Sequence, residues 1–272
     1  MLRRVLLGLA AMYLPMAAGM ASACGAETDC QIGDRMYRIA MPDGHDGVSE
    51  VGAIVFAHGY RGTAQGVMRN RSFRRMASDL GVALIAVDSK GDGWSLPNSP
   101  ALSSASGAEE VKYFDQMKAD AAARFAIDPD QIMVTGFSAG GMMVWTLACE
   151  RGDDYAGFAP IAGTFWAPIP QSCDAPAANV VHIHGDADRT VPLAGRPVAE
   201  THQGDVLETL NMYRSFGGFG EASAEKTDNM ACEMSANEAG KILNFCLFEG
   251  GHSFNPAHVS AAWSMIMDAS AS

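Results

Sequence analysis

The 272 residues predict an α/β domain with a mostly parallel central sheet and helices on both faces. Three observations predict it. Short continuous apolar runs, such as "GAIVFAHG" and "VALIAVD", suit strands buried on both sides. Segments with a helical apolar stripe alternate with those runs. Every motif able to carry chemistry falls just after a strand, where such sheets hold their ligands.

The chain begins MLRRVLLGLAAMYLPMAAGMASA. Two arginines precede an apolar run, and Ala21-Ser22-Ala23 forms a small-x-small cleavage site, so residues 1–23 read as a secretory signal peptide. Pro15 and the small residues after it keep the apolar run below the ~20 residues a membrane span needs. No later segment is long and apolar enough to span. Residues 24–272 suit one catalytic domain. In that part 17 Lys and Arg face 31 Asp and Glu, a formal charge of about −14. Such a surface repels phosphate backbones and argues against a nucleic-acid partner.

Six cysteines remain, an even count that suggests disulfides in an exported chain. Locality favours Cys24–Cys30, Cys149–Cys173 and Cys232–Cys246. The rival for Cys24 is lipidation after cleavage, although Ala21 stands where a lipid-attachment signal normally has Leu.

"RMYRIAMP" alternates like an exposed early strand, and "GAIVFAHG" reads as a buried parallel one. Residues 66–80 read as a helix and "VALIAVD" as the next strand. The irregular stretch "SKGDGWSLPNSPALSSAS", residues 89–106, follows that strand and is expected to border the site. Val111, Phe114, Met117, Ala121 and Phe125 keep a helical stripe over residues 107–125. Asp128-Pro129-Asp130 reads as a turn. "QIMVTGF" is a strand and "AGGMMVWTLACE" a helix. "AGFAPIAG", "NVVHIHG" and "KILNFCLFEG" read as further strands, with helices over 205–216 and 256–269.

Ser138 therefore stands in Gly-Phe-Ser-Ala-Gly at a strand-to-helix turn, where its hydroxyl points away from the sheet. The helix N-terminus adds partial positive charge where an oxyanion would form. A serine hydroxyl needs a histidine base held by a carboxylate, and for this geometry the chain order is Ser, acid, His. "VVHIHGDADRTVP" presents two acids after a strand, Asp186 and Asp188. His182 and His184 precede both acids, alternate within a strand and read as packing or locally hydrogen-bonded residues, His202 lies in a polar helix approach, and His258 lies within a helix. His252, in "FEGGHSFNP" straight after a strand, is the expected base. The oxyanion donors are expected to be the backbone N–H groups of Ala139 and Tyr60. Trp94, Phe165 and Trp166 lie in loops after strands and could line a pocket. His182-x-His184 lacks partners at metal-ligand spacing, so no metal is expected, and nothing suggests a redox cofactor.

Taken together, "HGYRGTA", "VTGFSAGGMM", "FAPIAGT", "HIHGDADRTVP" and "GGHSF" resemble the polyhydroxybutyrate depolymerase group of secreted α/β-hydrolases, whose relatives include feruloyl and acetylxylan esterases. The resemblance implies an α/β-hydrolase fold without a large lid. It implies Ser138 as nucleophile, Asp188 as the acid, His252 as base and Tyr60 as an oxyanion donor. The sequence departs at "HGYRG", where relatives often carry Cys after His-Gly. No separate polymer-binding domain follows, so binding to solid polymer is not expected. The expected partner is an ester, small or the end of a polymer chain. The rivals are a secreted serine peptidase on the same fold and a catalytically inactive binding protein.

Overall fold

The computed structural model describes residues 24–100, 105–227 and 229–271. The signal-peptide reading of residues 1–23, and residues 101–104 of the irregular stretch, lie outside them. The elements in chain order are β1 (Cys30–Ile32), β2 (Arg35–Ala40), β3 (Val51–Ala57), α1 (Ala64–Arg69), α2 (Arg71–Asp79), β4 (Ala83–Val87) and α3 (Ala108–Arg124). There follow β5 (Ile127–Phe137), α4 (Ala139–Glu150), β6 (Gly157–Ile161), β7 (Val180–Gly185), β8 (Pro197–Val198), β9 (Thr201–His202) and α5 (Val206–Gly217). The chain closes with β10 (Ser223–Thr227), β11 (Met230–Ala236), β12 (Ile242–Phe248) and α6 (Pro256–Ser270).

Among the described residues, ten strands form one sheet in the order β1-β2-β4-β3-β5-β6-β7-β12-β11-β10. The run from β4 to β12 is parallel, and antiparallel pairs finish both edges. The central strands are buried on both faces, which is why they read as unbroken apolar runs. One face carries α3, α4 and α5 through Phe114, Trp145 and Tyr213. The other carries α1, α2 and α6 through Met68, Phe73 and Trp263. Three disulfides join Cys24 to Cys30, Cys149 to Cys173 and Cys232 to Cys246, the local pairing, so the Cys24 sulfur is engaged in a bridge.

Four details differ from the sequence reading. The strand of "RMYRIAMP" is buried, not exposed: Arg35 pairs with Glu110 at 2.9 Å and Arg38 with Asp29 at 2.6 Å, so its polar residues enter the core with partners. The helix over 66–80 is two helices. Asn70 breaks it because its side chain accepts from Phe73 N–H and caps α2. Asp128-Pro129-Asp130 is an irregularity inside β5, where the pairing with β3 shifts register between Val51 and Ala53. His202 lies in the short strand β9 rather than at a helix approach.

The chain leaves β3 to place β4 on one side of it and later returns to place β5 on the other. That reversal opens a crevice at the carboxyl ends of β3 and β5, the usual ligand position in an open α/β sheet. Ser138 follows β5 and His58-Gly59-Tyr60 follows β3, so both motifs sit at this crevice.

Candidate active site

Ser138 adopts φ 59° and ψ −119°, a conformation L residues rarely hold. Its N–H donates to Ile161 O at 2.9 Å, which fastens the turn to the neighbouring strand β6. Gly136 and Gly140 are required by space. A Cβ on Gly140 would lie 1.9 Å from Ala57 O, and one on Gly136 2.6 Å from the Gly140 backbone. With both glycines, the start of α4 packs straight onto β3 and the serine is held at the crest.

Gly59 reaches the same place from β3; a Cβ there would sit 3.5 Å from Ser138 Cβ. Neither Tyr60 N–H nor Ala139 N–H donates to an acceptor among the described residues. The Tyr60 side chain turns outward, 62% exposed, and its hydroxyl donates to Asp92. The loop around Tyr60 is tethered. Arg61 N–H donates to Asp92 O at 2.7 Å, and Gly62 N–H to Gly59 O at 2.9 Å. Trp94 Nε1–H donates to His58 O at 2.9 Å.

The acid and base come from β7 and β12, which are adjacent and parallel. His252 Nδ1 lies 2.7 Å from Asp188 Oδ2. Asp188 Oδ1 accepts from Thr190 N–H at 2.8 Å and Val191 N–H at 2.9 Å, so both carboxylate oxygens are occupied. The His252 ring packs against Phe137, the residue before Ser138, with centroids 4.6 Å apart. Phe254 extends this cluster to Phe56 and Phe73. Asp186 is exposed and accepts instead from Gly250 N–H at 2.9 Å. The structure thus brings His252 to Asp188 and sets the His252 ring against Phe137, the residue that precedes Ser138.

Burial alone would raise the Asp188 pKa. Hydrogen bonds from His184, His252 and Val191 N–H overcome it and hold the carboxyl well below the usual carboxylate range. Burial, with His184 beside it, pushes His182 well below 6.5, and burial lowers His258 as well. In all three the folded state refuses protons that the unfolded chain takes up. Stability is therefore full above the unfolded values and is lost as pH falls. Melting temperature is expected to decline from below about pH 6.5, as the unfolded histidines charge, and again below about pH 4, as unfolded Asp188 protonates. Each group contributes at most about 1.4 kcal/mol per pH unit. Thermal melts in one buffer series from pH 8 to 3 check this; a flat profile down to pH 4 would refute the histidine part.

Of the pocket residues expected from the sequence, Phe165 and Trp166 line a cavity of about 320 Å³ together with Leu96, Met142 and Thr146. Met142 and Thr146 lie one and two turns beyond Ser138 on α4, so the cavity runs along that helix. Trp94 is 3% exposed and packs between His58 and Phe114 rather than on this wall. The far wall is the segment from Pro168 to Asp174. Cys173 is bridged to Cys149, and Asp174 and Ala175 N–H both donate to Cys149 O. At the end of the cavity the Glu150 carboxyl is pushed up by burial and by the neighbouring Asp174. Sequence reasoning missed Phe137 and Phe254 as supports of His252. Their apolar character beside Ser138 and His252 was the available signal.

The phospholipase/carboxylesterase family model matches residues 106–223. The NocK protein of Nocardia uniformis subsp. tsuyamanensis, named as an esterase, is 26% identical over 242 residues, covering 81% of this chain and 70% of its own. Feruloyl esterase C of Emericella nidulans is 24% identical over 277 residues, covering 94% of each chain. Among solved structures, acetyl xylan esterase from Aspergillus awamori superposes with a TM-score of 0.63 at 15% identity, covering 85% of this chain and 94% of its own. With the switch-point crevice and the serine turn after β5, these matches show an α/β-hydrolase fold and a chain similar to esterases built on it.

Proposed function

We propose that the chain is a secreted carboxylic ester hydrolase acting through Ser138, His252 and Asp188 by an acyl-enzyme. The observation that carries this reading is the 2.7 Å contact between His252 Nδ1 and a fully engaged Asp188 carboxylate, beside a serine held at φ 59°. Ser138 Oγ attacks the ester carbonyl carbon as His252 Nε2 takes its proton. Asp188 fixes the tautomer that leaves Nε2 free and stabilises the imidazolium. The carbonyl oxygen becomes an oxyanion and takes hydrogen bonds from Tyr60 N–H and Ala139 N–H. Collapse expels the alcohol, which takes the proton from His252. A water then loses its proton to His252 and attacks the acyl carbon; the acyl C–Oγ bond breaks to release the acid, and His252 returns the proton to Ser138 Oγ.

Three disulfides support an oxidising compartment, hence export. The motif set that resembles polyhydroxybutyrate depolymerases, together with the likeness to feruloyl esterase C, supports hydroxyacyl or aromatic-acyl esters as substrates. Turnover of a p-nitrophenyl ester against a peptide anilide tests the reading. Cleavage of the anilide alone would make the chain a peptidase, and cleavage of neither an inactive binder.

The wall from Pro168 to Asp174 occupies the position where many lipases carry a mobile lid, but here it is fixed by a disulfide and two backbone hydrogen bonds. Pocket size rather than lid motion should therefore set preference. One methylene changes such a preference by only ~1–3 kcal/mol. Short-chain, hydroxyacyl and aromatic-acyl esters are expected to be cleaved and long-chain triglycerides poorly. Initial rates against acyl length, below and above each ester's solubility limit, check this. A sharp jump on forming an emulsion, with a long-chain optimum, would show a lipase.

A further inference from the structure

Strand β7 lies inside the sheet between β6 and β12, and its His182 and His184 are wholly buried on one face. They are not independent packing residues. Trp145 Nε1–H donates to His182 Nδ1 at 3.2 Å. His182 Nε2 lies 3.0 Å from His184 Nδ1, and His184 Nε2 lies 2.8 Å from Val191 O. His184 Nε2 is also 3.5 Å from Asp188 Oδ2, the oxygen that faces His252. The two imidazole rings stack with centroids 5.2 Å apart.

The proton positions follow from the ends of this chain. An indole N–H only donates, so His182 Nδ1 accepts. A carbonyl oxygen only accepts, so His184 Nε2 carries a proton. With both rings neutral, His182 Nε2–H donates to His184 Nδ1, and every polar atom of the series is satisfied in one direction. The series starts on α4, whose first turn follows Ser138, and ends on the turn that carries Asp188. There the two ends of Val191 are held from opposite sides: its N–H by Asp188 Oδ1 and its carbonyl by His184.

We infer that His184, oriented by His182 and Trp145, is a positioning residue that holds the Asp188 turn in register with His252. This rests on the reading of Asp188 as the acid of the triad. The histidines need not touch substrate. They lock the loop geometry, and a displacement of about 1 Å at a catalytic group can cost on the order of 100-fold.

The test is steady-state hydrolysis of p-nitrophenyl butyrate across pH by His184→Phe and His184→Gln, each alone and with Asp188→Asn. His184→Phe keeps ring volume and removes the donor to Val191. It is expected to lower kcat on the order of 10- to 100-fold, with KM little changed. The acid limb of its kcat/KM profile should move to lower pH, because a displaced carboxylate supports the His252 imidazolium less well. His184→Gln, whose carboxamide N–H can replace Nε2–H, should recover most of the loss. In the Asp188→Asn background His184→Phe should add almost nothing, because it acts through that carboxylate. Equal losses in both backgrounds, or no loss in either, would overturn the inference. If His184→Phe does not fold, His182→Phe and Trp145→Phe carry the same expectation by breaking the series one and two bonds upstream. Failure of the triad reading is separable: it appears as wild-type turnover in Asp188→Asn alone.

Discussion

Ser138→Ala is expected to lower turnover of a p-nitrophenyl ester by about 10⁶ and to leave the melting temperature unchanged. Alanine keeps the Cβ, so the backbone at φ 59° is neither relieved nor further strained. Ser138 N–H still donates to Ile161 O, and the glycines that let α4 approach β3 are untouched. What is lost, on the proposed mechanism, is the oxygen that opens the acyl-enzyme path. Any residual rate over water, about 10³–10⁴ in comparable sites, would come from the oxyanion donors and from binding. Purified Ser138→Ala with wild-type-like activity would end the mechanism, and with it the assignments of His252 and Asp188. A variant that is inactive but unfolded, as judged by its melt, would leave the serine's chemical role to be separated with Ser138→Cys.

The six parallel strands were legible because burial on both faces removes polar residues from them and leaves short apolar runs. The position of Ser138 at a strand-to-helix turn was legible because a strand pattern stops and a helix pattern starts around it. The position of His252 was legible because it follows the last such run. The edges of the sheet were harder. β10 is polar and almost wholly exposed, so it leaves little apolar signal. β11 did carry one: Met230 and Cys232 alternate with exposed Ala231 and Glu233, a period of two that predicts a half-buried antiparallel strand. The burial of β2 could not be read locally. Its arginines are tolerated inside because Glu110 is brought to Arg35 from a helix 75 residues away.

The same limit applies to the site. His182 and His184 read as packing or locally hydrogen-bonded residues, and they are both buried and hydrogen-bonded. Their direction comes from Trp145, which arrives from α4, 37 residues earlier in the chain. No spacing within "VVHIHG" encodes that partner. Trp94 failed as a pocket residue for a related reason. Its loop does follow a strand, but its indole N–H finds His58 O and its ring finds Phe114, so it fixes the loop after β3 from behind. Residues alone also left Asp186 and Asp188 level, since both follow β7. They differ in which one turns into the protein: Asp188 is 6% exposed and Asp186 is on the surface.

That difference makes Asp188→Asn the second large loss, on the order of 10⁴ in turnover, while Asp186→Asn should cost less than about tenfold. The asymmetry follows from the hydrogen bonds. Asp188 Oδ1 accepts two backbone N–H groups, from Thr190 and Val191, so in an asparagine the carbonyl oxygen must stay there. The NH₂ group is then forced toward His252 Nδ1, where a carboxylate oxygen now sits at 2.7 Å. A donor at that point makes Nδ1 an acceptor and moves the imidazole proton to Nε2, the atom that takes the proton of Ser138 in the proposed mechanism. The same NH₂ would also face His184 Nε2–H, 3.5 Å from that oxygen, donor against donor. Asp186 has no such constraint: its one bond is from Gly250 N–H, and the carbonyl oxygen of an asparagine accepts it equally well. Turnover of both variants on one p-nitrophenyl ester at pH 8 decides the matter. A crippled Asp186→Asn beside an active Asp188→Asn would move the acid to the exposed position and undo the tautomer argument.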